Sequence, residues 1–381
     1  MDTLEGGRVL LRNASPRRPD DGESWKLLET LRLGRLEGSG PDVFGDIQDI
    51  AVDLGGNIYV VDAGWEEVRV FGRQGRYLRR MAGEGDGPGE KRYSRLPHRI
   101  AWEGPNRLWV SDGVQRLALD SLGSELNRVV LRSAITPSGP VDPRVRVIAA
   151  ETGTRHSILY LELTSYTSPA DVNRGAPIEK HVSVARVRLS DEYDVLAGDT
   201  LAIETMPVGL GERRETLCGR TSIRLTMAHP REPRVIWGIG RAGTVWVAHR
   251  AAYRLHEMTF TGDTIRTVEL GSPIPRADVG REQAEFEPVL AALDVSPEGW
   301  LWVRREPKDG DDEGVSIWDL LDNCSRYRGV VTIPWQVRAM HIGAAGEVHA
   351  VVVGTLGVSR VLRLQLESRV GEAVTVETCR F

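Results

Sequence analysis

Three observations in this sequence predict an all-β fold, a six-bladed β-propeller of four-stranded antiparallel blades. The first is a repeat. The segments "GGNIYVVD", "PNRLWVSD", "RHSILYLEL", "AGTVWVAH", "EGWLWVRR" and "AGEVHAVV" each place a turn before a β-prone run, with a ring at one fixed place: Tyr59, Trp109, Tyr160, Trp246, Trp302 and His349. These rings recur roughly every 50 residues, the length of a four-stranded blade, with one longer interval between Tyr160 and Trp246. The second is a partner run upstream of each turn: "IQDIAVD", "HRIAWEG", "RVRVIAAE", "RVIWGIG", "LAALDVS" and "VRAMHIG". Five of them follow Pro97, Pro143, Pro233, Pro288 and Pro334 closely. Proline cannot donate to a sheet ladder, so it suits the beginning of a strand. The third is what comes next. "EVRVFGRQGRYLRRM" and "LHEMTFTGDTIRTVEL" read as strand, glycine-containing turn, strand, a hairpin signal, and helical periodicity is weak throughout.

Each unit therefore reads as four strands, a to d, from the axis outward. The blades fall near 47–80, 98–131, 145–206, 234–270, 289–333 and 337–366. The third is long, with "SYTSPADVNRGAPIE" as an inserted loop between its strands b and c, and the long interval leaves a seven-bladed ring as the alternative. The last unit lacks an outer strand, while 25–36, "WKLLETLRLGRL", is a strand without a blade. Pairing it onto the last blade would close the ring and cover an exposed edge. The tail "EAVTVETCRF" competes for the same place. Residues 1–24 then form an N-terminal extension and 25–381 a single propeller domain.

Composition narrows the function classes. The chain has 381 residues, 41% hydrophobic and 27% charged, with a net charge of −5, enough for a sizeable core and too ordinary for disorder. The acidic balance, with no Lys/Arg block, speaks against a nucleic-acid partner. Only Lys26, Lys91, Lys180 and Lys308 are lysines, so arginine carries nearly all of the positive charge. Cys218, Cys324 and Cys379 lie far apart without CxxC spacing, which argues against zinc and leaves the pairing of any disulfide open. No apolar run reaches membrane-spanning length. The first residues lack the apolar core of a signal peptide. The chain is thus either cytoplasmic or a mature form whose leader has been removed.

"GEGDGPGE", Gly83 to Glu90, raises a phosphate loop as a reading, but "KRYSRLP" follows it where such a loop needs a helix. A near copy, "LEGSGPDVFGD", precedes the first blade. Both read as connectors from one blade to the next, which places the 25–36 strand in an outer-strand position.

"IQDIAVDLGGNIYVVDAGWEEVRVFGRQGRYLRRMAGEGDGPGE" resembles the repeats of bacterial six-bladed NHL-repeat-like propellers: an apolar strand, D-x-x-G-x-[IL]-[YW]-V-x-D, then V-x-[VK]-F-x-x-x-G. Blades one and two match well, blades four to six match around the ring-bearing strand, and blade three departs most. The resemblance implies the fold and a choice of functions, because relatives include binding scaffolds, lactonases and lyases. Many such proteins are exported, which favours a periplasmic or extracellular location. Lactonase-type relatives hold a divalent cation on the axis, which would make Asp62 and Asp112 metal ligands, with calcium the natural ion. No equivalent asparagine partner stands out.

Strand order puts the b-to-c loops on the same face as the glycine-rich connectors, the face that forms a ligand funnel. Three positions after each ring lie Asp62, Asp112, Leu163, His249, Arg305 and Val352. With Arg304, the charged members form a candidate ligand site, offering Asp and His for acid–base work. Each also has a local role to set against that, since a strand-ending Asp commonly caps its turn. "REPKDGDDEG" carries Asp309, Asp311 and Glu313 like the opening of a calcium loop, but Leu320 stands where that loop needs Glu. The sequence thus favours a non-enzymatic, monomeric scaffold without a cofactor, binding a protein partner or small polar ligand. The alternative is a metal-dependent hydrolase or lyase of the lactonase type.

Overall fold

A computed structural model describes residues 2–3, 9–13, 25–81, 99–111, 116–129, 144–152, 157–166, 179–207, 210–217, 220–227, 235–250, 252–271, 289–307, 314–354 and 356–368, with single positions from 374 to 379. Six antiparallel sheets form a ring, each with its first strand innermost. Blade 1 spans Ile47–Val52, Ile58–Asp62, Glu67–Phe71 and Tyr77–Met81. Blade 2 begins with Arg99–Glu103 and blade 3 with Arg144–Thr152. Blades 4, 5 and 6 begin with Val235–Ile239, Leu290–Val295 and Gln336–Ile342.

The rings that define the repeat hold the blades together. Tyr59, Trp109, Tyr160, Trp246, Trp302 and His349 are all buried, none more than 2% exposed. Each blade buries two faces against its neighbours, and the core divides into six clusters, one per interface. Trp302 and Trp318 of blade 5 meet Val348, Ala350 and Val352 of blade 6. Val61 and Val70 of blade 1 meet Leu108 and Val110 of blade 2. Ile47 and Phe71 of blade 1 meet Val351 and Val361 of blade 6, which closes the circle.

That closure depends on the N-terminal strand. Lys26–Leu33 pairs antiparallel with Ser359–Glu367 and supplies strand d of blade 6. Trp25 anchors it: its backbone N–H donates to Val330 O at 3.0 Å, and its indole N–H donates to Arg328 O at 3.1 Å. Its ring meets Trp300 edge-on at 5.5 Å. The C-terminal tail does other work. Val374 packs on the blade 5–6 cluster, and Cys379 is disulfide-bonded to Cys324 in the c–d turn of blade 5. Val9–Asn13 adds a parallel strand outside blade 4, and Asn13 ties it to blade 5 through Ser325 O and the Tyr327 N–H.

Six blades are present, and among the described residues the long interval holds no seventh. Blade 3 has outer strands Glu179–Leu189 and Val195–Pro207, longer than those of its neighbours, and a separate hairpin, Leu210–Leu217 with Arg220–Met227, follows it. The b–c loop expected to be inserted there lies at 167–178, outside the described residues, as do "GEGDGPGE" and the acidic run at Asp309, Asp311 and Glu313. Among the described residues no helix is long and apolar enough to cross a membrane.

Trp25→Ala removes an anchor that is only 5% exposed and should cost about 3–5 kcal/mol, read as a lower denaturant midpoint. A smaller change than an exposed substitution gives would show that ring closure does not depend on this residue. Reduction of Cys324–Cys379, which spans 55 residues of sequence, should cost about 2–4 kcal/mol. Thiol titration of the unreduced chain should find one free cysteine, Cys218.

Candidate functional site

The d-to-a connectors and b-to-c loops share one face, as strand order requires. Asp62 ends strand b of blade 1 there and is wholly buried. Its carboxylate accepts the backbone N–H of Gly45 at 3.1 and 3.0 Å and of Asp46 at 2.9 Å, with Arg69 at 3.6 Å. The backbone of Gly45 lies so close to Gly64 that a Cβ on either would come within 3 Å of the other. Asp62 thus clamps the chain as it enters blade 1. Asp112 lies outside the described residues. Leu163 and Val352 are buried in the core, and His249 is exposed at its strand end.

Arg304 and Arg305 are neighbours on one strand, so their side chains leave opposite faces of the sheet. Arg305 turns toward blade 4. It grips Asp319 through two bonds of 2.8 and 2.6 Å, and the same carboxylate accepts the hydroxyls of Tyr253 at 2.7 Å and Tyr327 at 2.9 Å. With Asp319 fully buried, this is a satisfied network of the kind that fixes packing. Arg304 turns toward blade 6 and donates to Val337 O at 2.7 Å. Arg250 donates to Leu290 O, and Arg338 to Ile47 O. Leu290, Val337 and Ile47 hold the same place on their inner strands, each at the pairing level three residues past the ring. At three seams, therefore, an arginine from one blade caps a carbonyl at the start of the next blade's inner strand.

The inner strands also bring together a charged group that the repeat does not require. Asp49 of blade 1 accepts the N–H of Ile50 at 3.0 Å and of Ile100, on blade 2, at 3.1 Å, with the Arg99 guanidinium at 3.7 Å. Burial raises the Asp49 carboxyl, against the pull of Arg99 and those two N–H groups. Asp294 of blade 5 pairs with Trp302. At the equivalent place, opposite the marker ring, blades 1, 2 and 4 carry Ala51, Ala101 and Gly238. Burial pushes the Asp294 carboxyl up to about 6, opposed by Arg304 and Arg99 and reinforced by Asp49. The charges of Arg304, Arg99 and Asp49 thus all act on the Asp294 carboxyl. Asp294 receives no hydrogen bond and closes no ion pair with the described residues. Among the described residues Arg304 hydrogen-bonds Val337 alone and its guanidinium lies over the Trp318 ring at 5.8 Å; its buried Nε lacks an acceptor, and burial lowers its basicity.

Blade 6 contributes a histidine pair. His341 and His349 are cross-strand partners with ring centroids 6.2 Å apart. Burial lowers His341 to about 4 and His349 to about 3, so both are neutral near pH 7. The described residues include no group of three His, Cys, Asp or Glu side chains placed to hold a metal.

Sequence reading reached Arg304 and missed Asp49, Asp294 and Arg99. The available signal was register: with the marker rings aligned, Asp294 is a carboxylate where blades 1, 2 and 4 carry a small residue and blade 6 carries His341.

The molecule is by architecture a six-bladed β-propeller. No protein-family model matches the chain, and no curated protein matches it in sequence. Among solved structures it is similar to a member of the DUF4221 family from Bacteroides vulgatus, at 8% identity over 91% of this chain and 99% of that one, with a TM-score of 0.51. It is also similar to virginiamycin B lyase from Staphylococcus aureus, at 9% identity over 90% and 100%, TM-score 0.45. A third is the calcium-binding protein regucalcin from Agrobacterium tumefaciens, at 11% identity over 97% and 99%, TM-score 0.38. At such identities the likeness shows the fold alone.

The fold holds Asp294 against its ordinary ionisation near 3.9. Its ionised form is therefore penalised in the native state, and stability falls as pH rises through that range to about 6. Asp294→Asn should melt above the wild type at about pH 8 and with it at about pH 4, where both side chains are neutral. A melting difference of equal size at both pH values would show that Asp294 is not held neutral by the fold.

Proposed function

We propose that this propeller is a non-enzymatic binding protein that takes a small polar ligand in its axial channel. One observation carries the reading: Asp294 and Arg304 are diagonal neighbours on adjacent strands of blade 5, and among the described residues no hydrogen bond or ion pair joins them. Opposite charges in low dielectric normally close into contact. Groups kept apart there by a rigid scaffold suit a ligand set between them. Ligand sites of this type combine a shaped, mostly apolar wall with a few convergent polar groups.

The lactonase-type alternative needs Asp62 and Asp112 as metal ligands. Asp62 has its oxygens engaged by Gly45, Asp46 and Arg69, which favours its role as the clamp on the blade 1 connector. The disulfide between Cys324 and Cys379 supports export to an oxidising compartment.

A thermal-shift screen of small polar metabolites, run with and without calcium, tests the reading. A saturable rise in melting temperature with an organic compound is expected, calcium-independent and lost in Arg304→Gln. Stabilisation by calcium alone, abolished in Asp62→Asn, would instead support the metal-dependent alternative.

A further inference from the structure

We propose that the Cys324–Cys379 disulfide is a redox latch: its reduction by a dithiol frees the N-terminal strand, Val9–Asn13, from the outer edge of blade 4 while the ring of blades stays closed.

Both ends of the chain meet at one turn, Asp322–Arg326, which joins Ser316–Leu321 to Tyr327–Ile333 in blade 5. The C-terminal tail reaches it through the disulfide, with the Asn323 amide donating to Cys379 Sγ at 3.4 Å. The N-terminal strand reaches it through Asn13, whose side chain donates to Ser325 O at 3.0 Å and accepts the Tyr327 N–H at 3.0 Å. Arg266, on the blade 4 strand that pairs with Val9–Asn13, donates to Asn323 O at 3.1 Å. Cys324 and Ser325 are consecutive, so the two attachments share one piece of backbone.

That backbone is strained. The same four-residue turn, closed from the fourth N–H to the first carbonyl, joins strands c and d in blades 1 to 5. Its fourth residue is left-handed, and blades 1, 2 and 4 place Gly75, Gly123 and Gly262 there. Blade 3 has Tyr193 and blade 5 has Ser325, at φ of 69° and 61°. A side chain disfavours this conformation, which persists only where the surroundings over-determine it. Tyr193 is held by its ring, which meets Trp109 at 5.9 Å and lies under Arg107 at 5.0 Å. Ser325 lacks such a hold, because its buried hydroxyl has no hydrogen-bond partner among the described residues. Its turn is fixed by Asp322, which accepts the N–H groups of Cys324 and Arg326 at 2.9 Å, and by the two chain ends.

Cys379 is half-buried, whereas Cys324 is buried. A thiolate of the dithiol therefore attacks Cys379 Sγ, the S–S bond breaks, and Cys324 leaves as a thiolate. The second thiol of the reagent then displaces Cys379 and closes the reagent's own disulfide. Two electrons and two protons pass from the dithiol to the two cysteines. With the tail released, Ser325 relaxes out of the left-handed region, and its carbonyl and the Tyr327 N–H no longer meet Asn13.

Hydrogen exchange of the full chain, with and without dithiothreitol, tests the latch. Reduction should speed exchange at Leu10–Asn13 by at least about tenfold and leave Arg107–Ser111 of blade 2 protected. Cys379→Ser should exchange like the reduced protein. Ser325→Gly, which adopts the turn without strain, should keep Leu10–Asn13 protected on reduction. Coupling between two sites is reciprocal, so Asn13→Ala should lower the dithiothreitol concentration for half-reduction by at least about threefold. Unchanged exchange at Leu10–Asn13 on reduction, or an unchanged reduction midpoint in Asn13→Ala, would overturn the proposal. So would equal acceleration in Ser325→Gly, or loss of protection in blade 2 as well, which would mark general unfolding.

Discussion

Burial of the surfaces between blades is the constraint on which everything else depends. A four-stranded sheet of this size cannot bury both of its faces by itself, and each face here finds its cover only in the next blade. The core is accordingly six interfacial clusters rather than one centre, and the rings at the repeat positions lie inside them. Such an arrangement is stable only when it closes, because an open ring would leave two apolar faces in water. The join between blade 6 and blade 1 is where closure is made, and it draws on the part of the chain farthest away in sequence. Lys26–Leu33 completes blade 6, and Trp25 carries the contact on to blade 5. Unzipping this join would require breaking a strand ladder and two interfacial clusters together, so the two ends of the chain fold and unfold as one with the ring.

The polar groups at the seams follow from the same geometry. Bringing inner strands together around an axis crowds backbone groups that have no ladder partner on the channel side. Arginines from the preceding blade cap three equivalent carbonyls, at Leu290, Val337 and Ile47. Asp49 accepts an N–H from blade 2, and Asp62 gathers two N–H groups from the blade 1 connector. Arginine reaches these positions because its fork can cap a carbonyl while its stem lies along an apolar wall. The scarcity of lysine in the sequence acquires a structural meaning here: at each of these seams the cation has work that a point charge would do less well.

The fold was legible because its signals repeat. Six rings, six upstream runs and prolines at the strand starts state one rule several times, so a weak match in blade 3 does not obscure it. The closing strand was legible for the complementary reason, as a strand without a blade beside a blade without a strand. The site was legible only in part. The choice of the third position after each ring led to Asp62 and Arg305, whose side chains turn to clamp a connector and to hold Asp319. A one-residue shift in a strand reverses the face that a side chain serves, and Arg304 beside Arg305 shows the consequence. Asp294 was hidden because it departs from the repeat, and a search for similarity passes over the position that differs. The Cys324–Cys379 pairing was hidden because three cysteines permit several pairings, and only the meeting of the tail with the blade 5 turn selects one.

Asp294 also shows why the rest of the ring must be rigid. Ala51, Ala101 and Gly238 occupy the same place in blades 1, 2 and 4 and His341 in blade 6, so the repeat itself does not call for a carboxylate there. A carboxylate that accepts no bond would ordinarily be relieved by a small movement toward a cation. Here that movement is blocked: Asp294 pairs with Trp302, a ring 1% exposed in the blade 5–6 cluster, and Arg304 is tied to Val337 on the far side of the same seam. Relief would require repacking an interface that the whole circle shares. The penalty at one residue is thus sustained by six sheets that cannot move independently, and a scaffold that can hold two charges apart in this way is equally able to present them to a small polar ligand.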